Sequence, residues 1–186
     1  MKTIALVAEK GAGKGLFVEI IKRLMPDKRI VSVRFSDVLC DILDILGKEK
    51  SRHNISTLAT VLRDAFQDEG LLTSVMRTRL QGMDADIVFL DGLRKEKEIS
   101  LVRERDGLLV YIAADARIRF ERSSQRAEKS DEMGMTWEQF NAQEQMATEV
   151  SIRNIGETLA DVKLENNGTV EEFERVVKSF IARHGF

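Results

Sequence analysis

Eight consecutive residues, Ala8-Glu9-Lys10-Gly11-Ala12-Gly13-Lys14-Gly15, combine the side-chain types that gather phosphate. Glycines let successive backbone N–H groups converge on one point, and a helix N-terminus behind them adds partial positive charge. Lys14 brings a flexible point charge for the outer phosphates of a nucleotide. Gly13-Lys14 fits the pattern G-x-x-x-x-G-K-[ST], whereas Ala8 stands at its first glycine and Gly15 at its hydroxyl residue. An apolar run at 3–7 precedes the stretch and an apolar-periodic segment at 16–25 follows it, so the context is strand, turn, helix. The competing reading is a glycine-rich turn with no ligand. Three alternating glycines and a lysine in this context are hard to obtain from packing needs alone.

Other residues can act around such a cradle. Asp91 ends the apolar run 87–90, where a carboxylate can hold Mg²⁺ directly or through water near the phosphates; a plain acidic cap at a strand end is the alternative. No glutamate follows Asp91, which disfavours water activation as the main task. Asp37 follows the run 30–33 and can orient an acceptor's base, sugar or attacking oxygen, or else serve a helix dipole. Arg63 sits among Leu62, Ala65 and Phe66 and needs a partner, either a carboxylate such as Asp37 or a ligand phosphate. Arg119, Arg122 and Arg126 recur at i, i+3 and i+7, so one helix face carries three guanidinium groups, for phosphoryl oxygens or for solvent. His53 reads as solvated, His184 as complementing a helix C-terminus and Cys40 as a small buried hydrophobe.

The elements that must position these residues follow from periodicity. Phe17, Ile20, Ile21 and Leu24 mark a first helix, ended by Pro26; 30–33 is a second strand. Ser36 is placed to cap a helix carrying Leu39, Ile42, Leu43 and Leu46, with Gly47 as its stop. Residues 48–54 read as a charged loop, and Leu58, Val61, Leu62, Ala65 and Phe66 as a helix broken at Gly70, with helical spacing resuming to Gly82. Unalternating runs at 87–90 and 108–113 read as strands buried on both faces, hence a parallel sheet. Residues 95–105 and 115–126 read as helices. Thr136 with Gln139, and Thr169 with Glu172, form capping boxes opening helices towards Met146 and along Val170, Phe173, Val177, Phe180 and Ile181; 162–164 is a last short strand. The order predicts an α/β fold of three layers: a five-stranded parallel sheet flanked by helices, with right-handed crossovers. Ligands in such sheets bind beyond the carboxyl ends of the strands, where the glycine loop, Asp37, Asp91 and Asp115 all fall.

The 186 residues suit one domain able to bury roughly 70% of its extended-chain surface. A net charge of −2 gives no bias towards nucleic acid or membrane. The single cysteine excludes an intramolecular disulfide and fits a reducing compartment. No run reaches transmembrane length, and the first strand starts at once, leaving no room for a signal peptide; the expectation is a cytoplasmic protein.

Residues 11–15, Gly-Ala-Gly-Lys-Gly, resemble the loop of adenylate kinases and related nucleoside monophosphate kinases, in which a glycine also follows the lysine and a threonine comes next; here that next residue is Leu16. Asp91-Gly92-Leu93-Arg94 resembles a family element, Asp-Gly-x-x-Arg or similar, whose arginine grips the acceptor's phosphate, with the spacing one residue shorter. Ser36-Asp37 resembles the Gly-Asp that opens the family's acceptor helix. The arginine helix after the fourth strand matches the lid, with 127–135 as its tip and Trp137, Met133 and Met135 as lid packing. Residues 160–168 resemble the last strand and loop of dephospho-CoA kinases, where Asn166, Asn167 and Gly168 would offer backbone groups to adenine. The resemblance covers nearly the whole chain and is closest to small adenylate-kinase-related, dephospho-CoA-kinase-like proteins.

That resemblance implies a P-loop NTPase fold of one domain, 1–186, with an acceptor-binding helical part at about 36–82 and a short helical lid at about 115–147. It implies transfer of the γ-phosphate of ATP, with Mg²⁺, to a small phosphate-bearing acceptor such as a nucleoside monophosphate or a dephospho-CoA-like molecule. ATP would rest on Lys10, Gly11, Ala12, Gly13, Lys14, Gly15 and Leu16, with Arg122, Asn167 and Gly168 beside it. Lys14, Arg122, Arg126 and Asp91 would serve the reaction, Asp91 through magnesium, and Asp37, Arg63 and Arg94 would hold the acceptor. No nucleic acid or membrane partner is expected. The alternative is an ATP-binding regulatory P-loop protein with weak or no kinase activity, favoured by the missing hydroxyl at positions 15 and 16.

Overall fold

Continuous apolar runs become the central strands of a sheet because neither of their faces meets water. The computed structural model describes residues 1–93, 96–126 and 135–186. In chain order the elements are β1 (Lys2–Ala8), α1 (Lys14–Leu24), β2 (Ile30–Arg34), α2 (Asp37–Ile45), α3 (Arg52–Phe66), α4 (Leu71–Gln81), β3 (Ile87–Asp91), α5 (Glu96–Arg103), β4 (Leu108–Ala113), α6 (Ala116–Arg126), α7 (Trp137–Glu144), α8 (Ala147–Leu159), β5 (Val162–Glu165) and α9 (Val170–His184). The strands form one parallel sheet in the order β2-β3-β1-β4-β5. Register runs from Ile30 opposite Ile87 to Arg34 opposite Asp91 between β2 and β3, and from Val110 opposite Val162 to Ala113 opposite Glu165 between β4 and β5. Ile87 to Leu90 and Leu109 to Ile112 are buried throughout, as the absence of alternation predicts.

The chain divides into two compact units, Met1–Ala5 with Arg29–Gly107, and Leu6–Lys28 with Leu108–Phe186. In the first, α2 buries Leu39 and Leu43, and α4 buries Leu72, Met76 and Leu80. Gly47, with φ +62°, ends α2 as expected. Two local expectations fail here. Ser36 precedes α2 but makes no capping bond, because its backbone (φ −75°, ψ −14°) is already helical where a cap needs an extended one; separately, the carboxylate of Asp37 accepts the Arg34 N–H at 2.7 Å. Residues 48–54 are not all loop, because the Ser51 hydroxyl accepts the Asn54 N–H at 3.2 Å and starts α3 at Arg52. His53 is exposed, now on that helix.

In the second unit α1 buries Phe17, Ile20 and Ile21, and the Phe17 ring meets Phe180 of α9 edge-on with centroids 5.5 Å apart. Both expected capping boxes form, at Thr136/Gln139 and Thr169/Glu172. Trp137 stacks on Phe140 at 5.7 Å and meets Phe120 at 5.5 Å, with the Arg117 guanidinium 4.9 Å from its ring, so it packs, as expected; Met133 lies outside the described residues. Helix α8 has no counterpart in the sequence reading, which stops at Met146. Its N-cap is Met146, with no side-chain bond, and Gly156 interrupts its pattern. That glycine exists for packing: a Cβ there would run into the Tyr111 ring.

Candidate functional site

The loop between β1 and α1 has the backbone of a phosphate cradle. Gly11 and Gly13 have φ of +81° and +104°, in the left-handed region that side chains disfavour. The Ala12 N–H closes a tight turn on the Glu9 carbonyl at 3.1 Å, and Gly13 is the N-cap of α1, accepting from the Phe17 N–H at 3.0 Å. Neighbours also crowd these glycines. A Cβ on Gly11 would lie 2.6 Å from the Arg119 carbonyl oxygen, and one on Gly13 would run into the Asn166 amide. Lys14 is the first residue of α1 and, like Lys10 and Leu16, is half-buried. Gly15 is exposed with open space beyond it, so no steric constraint excludes a hydroxyl residue there.

Behind the loop lies a buried ionic network. The Tyr111 hydroxyl donates to Glu9 Oε2 at 2.6 Å, and Arg153 Nε donates to Glu9 Oε1 at 3.0 Å. Arg119 grips Glu144 with both terminal nitrogens at 2.9 and 2.5 Å, and lies 3.5 Å from Glu9 Oε1. Arg153 also reaches Glu144, at 3.0 Å. Two carboxylates and two guanidiniums thus cancel, which is the condition for burying them. Arg119 is 2% exposed and additionally donates to the carbonyls of Ala114 and Lys10. Its burial acts to lower its pKa, but the Glu144 and Glu9 carboxylates outweigh that and hold the guanidinium above its usual range. Burial, then the Glu9 carboxylate, push the Tyr111 phenol well above its usual value. Sequence reasoning grouped Arg119 with an arginine face and passed over Glu9, Glu144 and Arg153. The available signal was Tyr111, the chain's one tyrosine, in a buried strand where its hydroxyl requires a partner.

Arg122, one turn along α6, donates to the carbonyls of Asn166 at 2.8 Å and Gly168 at 3.1 Å. Asn166 in turn donates its side-chain amide to the Ala12 carbonyl at 2.8 Å, and Asn167 accepts the Asp115 N–H at 2.8 Å. The structure therefore brings Lys10 to Leu16, Arg122, Asn167 and Gly168 into one neighbourhood. Beside them is a polar cavity of about 280 Å³, lined in part by Glu9, Tyr111, Asp115, Arg153, Lys163 and Asn167. Arg126 is the last residue of α6, and its side chain, with residues 127–134 of the expected lid tip, lies outside the described residues.

The remaining candidates belong to the other unit. Asp91 ends β3, its carboxylate 3.8 Å from Arg34 Nε and its carbonyl accepting the Phe35 N–H at 3.2 Å. Asp37 is half-buried at the start of α2. Arg63, in the last turn of α3, has a buried Nε with no hydrogen-bond partner among the described residues. Among the described residues, neither Asp37 nor any other carboxylate takes that N–H. Arg94 lies outside the described residues. No group of three or more metal-ligating side chains occurs among the described residues. No described helix is long and apolar enough to cross a membrane.

No family model matches the chain. Sequence relatives span nearly all of it. A UPF0200 protein from Hyperthermus butylicus is 30% identical over 187 residues, covering 98% of this chain and 95% of the relative. One from Thermococcus kodakarensis is 28% identical over 179 residues, covering 92% and 91%. Among solved structures, shikimate kinase from Bacteroides thetaiotaomicron superposes with a TM-score of 0.61 at 13% identity, over 100% of this chain and 99% of the other. A gluconokinase from Sinorhizobium meliloti gives 0.58 at 14% identity, over 98% and 93%. At such identities the likeness is one of fold: the five-stranded parallel sheet flanked by helices is the P-loop kinase fold.

Proposed function

The chain belongs to the UPF0200 family, and from that premise and the geometry of its glycine loop we propose that it is an ATP-dependent phosphotransferase acting on a small, phosphate-bearing acceptor. The observation that carries the reading is the pair of left-handed glycines, Gly11 and Gly13, running into Lys14 at the N-terminus of α1. Converging N–H groups, a helix dipole and one ammonium form an arrangement suited to a polyphosphate. Lys10 to Leu16 would hold the phosphates and Asn167 and Gly168 would border the base, with Lys14, Arg122 and Arg126 neutralising charge as the γ-phosphoryl moves. Arginines in that role contribute roughly 10³–10⁵ in rate. Positioning and charge neutralisation suffice, with no covalent enzyme intermediate.

Acceptor binding is assigned to Asp37, Arg63 and Arg94. The unpartnered Nε of Arg63 supports this, because a buried guanidinium nitrogen lacking an acceptor is satisfied by an anionic ligand. Asp91, a carboxylate at the carboxyl end of β3, would reach a magnesium ion through water, with phosphate supplying most of that ion's ligands. Bound there, the ion would offset charge on the phosphoryl oxygens. The single cysteine leads us to place the protein in the cytoplasm.

The test combines protein, ATP and Mg²⁺ with a panel of nucleoside monophosphates and dephospho-CoA and follows ADP. Acceptor-stimulated ADP release is expected. Tight ATP binding that no acceptor stimulates would instead favour a regulatory ATP-binding protein, the reading to which Gly15 and Leu16 in place of hydroxyl residues lend support. Lys14→Ala is expected to abolish turnover with the circular dichroism spectrum unchanged. Full turnover in that variant would remove Lys14 from the mechanism.

A further inference from the structure

Two carbonyls of the glycine loop are held by side chains that come from later in the chain. The Lys10 carbonyl accepts from Arg119 Nη1 at 3.3 Å, and the Ala12 carbonyl accepts from Asn166 Nδ2 at 2.8 Å. The orientation of the Asn166 amide is fixed by chemistry. Arg122 Nη2, which only donates, lies 3.5 Å from Asn166 Oδ1, and the Ala12 carbonyl, which only accepts, faces Nδ2. Each peptide bond here is trans, so a carbonyl and the N–H that follows it point in opposite directions. Turning the Lys10 carbonyl to Arg119 therefore turns the Gly11 N–H away from it. Turning the Ala12 carbonyl to Asn166 likewise turns the Gly13 N–H away from Asn166. Among the described residues, neither N–H donates to a backbone group outside the regular elements.

The two glycines are also where the loop is least able to hold itself. A glycine takes either sign of φ at little cost, so an unclamped peptide beside it can turn over and present a carbonyl lone pair in place of a donor. The clamps are themselves rigid. Asn166 is 2% exposed, its own N–H is bound to the Ala113 carbonyl at 2.8 Å and its carbonyl to Arg122 at 2.8 Å. Arg119 is fastened by Glu144 and by the Ala114 carbonyl.

We propose that Asn166, with Arg119 beside it, is a positioning residue for the phosphate loop: each holds a loop carbonyl towards the buried interior, so that the Gly13 and Gly11 N–H groups face the other way, ready for phosphate oxygens. This builds on the phosphate-binding reading above and adds which side chains prearrange the donors. It also separates Asn166 from the base. Its side chain serves the phosphates through Ala12, although its neighbours Asn167 and Gly168 are assigned to the nucleoside end.

The experiment compares the wild type with Asn166→Asp, which replaces the amide donor by an acceptor of the same shape, and Asn166→Ala, which serves where the carboxylate prevents folding. Calorimetric titrations use ATP and, separately, inorganic tripolyphosphate. Loss of one oriented donor to a charged oxygen predicts that both ligands weaken by the same factor, roughly ten- to a hundredfold. Weakened ATP with unchanged tripolyphosphate would place Asn166 at the base and overturn the proposal, as would unchanged affinity for both. A wild type that binds neither ligand would sink the phosphotransferase reading, and a ligand-free measurement still decides the clamp. In ¹⁵N-labelled protein the Gly13 amide resonance of Asn166→Ala is expected to shift and broaden as its peptide samples two orientations, with the Gly11 resonance unaffected. A Gly13 resonance identical to that of the wild type would refute the clamp.

Discussion

Helices α3 and α9 are each fifteen residues long, each amphipathic in sequence, and each opened by a hydroxyl side chain that accepts a backbone N–H of the first turn. Their fates differ. α9 buries Phe173, Val177 and Phe180 almost completely. In α3, among the described residues, Ala59 alone reaches full burial, at 8% exposure, while Val61 and Phe66 stay 55% and 66% exposed. α9 belongs to the unit that carries the glycine loop, where charges are paired in the interior. α3 belongs to the other unit and carries the one buried side-chain nitrogen left without a partner among the described residues, on Arg63. Periodicity announces a helix and a preferred face; it does not say that something covers that face. A helix tied down by few buried side chains opens at low free-energy cost, which suits an element that a ligand is expected to complete.

Substitutions can break or sharpen this contrast. Phe173→Ala is expected to cost about 3–5 kcal/mol in urea unfolding, the range for a buried aromatic; a loss under ~1 kcal/mol would mean that α9 is no more embedded than α3. Tyr111, in the same unit as α9, can be watched directly because it is the only tyrosine. Absorbance at 295 nm should show it ionising above the ordinary ~10 of a free phenol, since burial and the Glu9 carboxylate both favour the neutral form. A raised pKa means stability that is whole below pH ~10 and declines as pH climbs past it. Tyr111→Phe should therefore lose that alkaline decline, while leaving Glu9 short of a donor at a cost of about 1–3 kcal/mol at neutral pH. An ionisation midpoint at or below 10 would remove the Glu9 contact from the account. Arg63→Met keeps the apolar stem and deletes the unmatched donor. Its stability should be unchanged or higher by up to ~1 kcal/mol, while acceptor-stimulated ADP release falls; a clear loss of stability would reveal a protein partner for Arg63. The smallest effect is expected from Phe66→Ser, within about 0.5 kcal/mol of the wild type. A larger loss would show that the exposed end of α3 is packed in solution.

Much of the fold was legible because it is written locally. Residues 108–113 were read as a strand to the residue, and the two capping boxes open α7 and α9 where Thr136 and Thr169 stand. The glycine loop was legible as a turn between strand and helix, but the packing of Gly11 against the Arg119 carbonyl and of Gly13 against the Asn166 amide was not. What escaped is set by partners far along the chain. α8 lacks a side-chain cap and carries Gly156, whose reason is the Tyr111 ring. The i, i+3, i+7 spacing offers Arg119 to phosphoryl oxygens or to solvent, whereas the fold turns it to Glu9 and Glu144, which lie far from it in sequence. Ser36 had the right type for a cap, but its backbone is helical rather than extended, which residue type does not reveal.

The neutrality of the network behind the loop has a bearing on engineering. Glu9 is at once a member of the eight-residue glycine-rich stretch and the counter-ion of Arg153 and Arg119. Replacing the stretch 8–15 by one with the first glycine and the hydroxyl restored but no acid at position 9 would delete Glu9 and strand an excess positive charge in the interior. A viable graft has to bring replacements for Arg119, Glu144 and Arg153 with it, so the unit of exchange in this protein is the loop together with the helices that neutralise it.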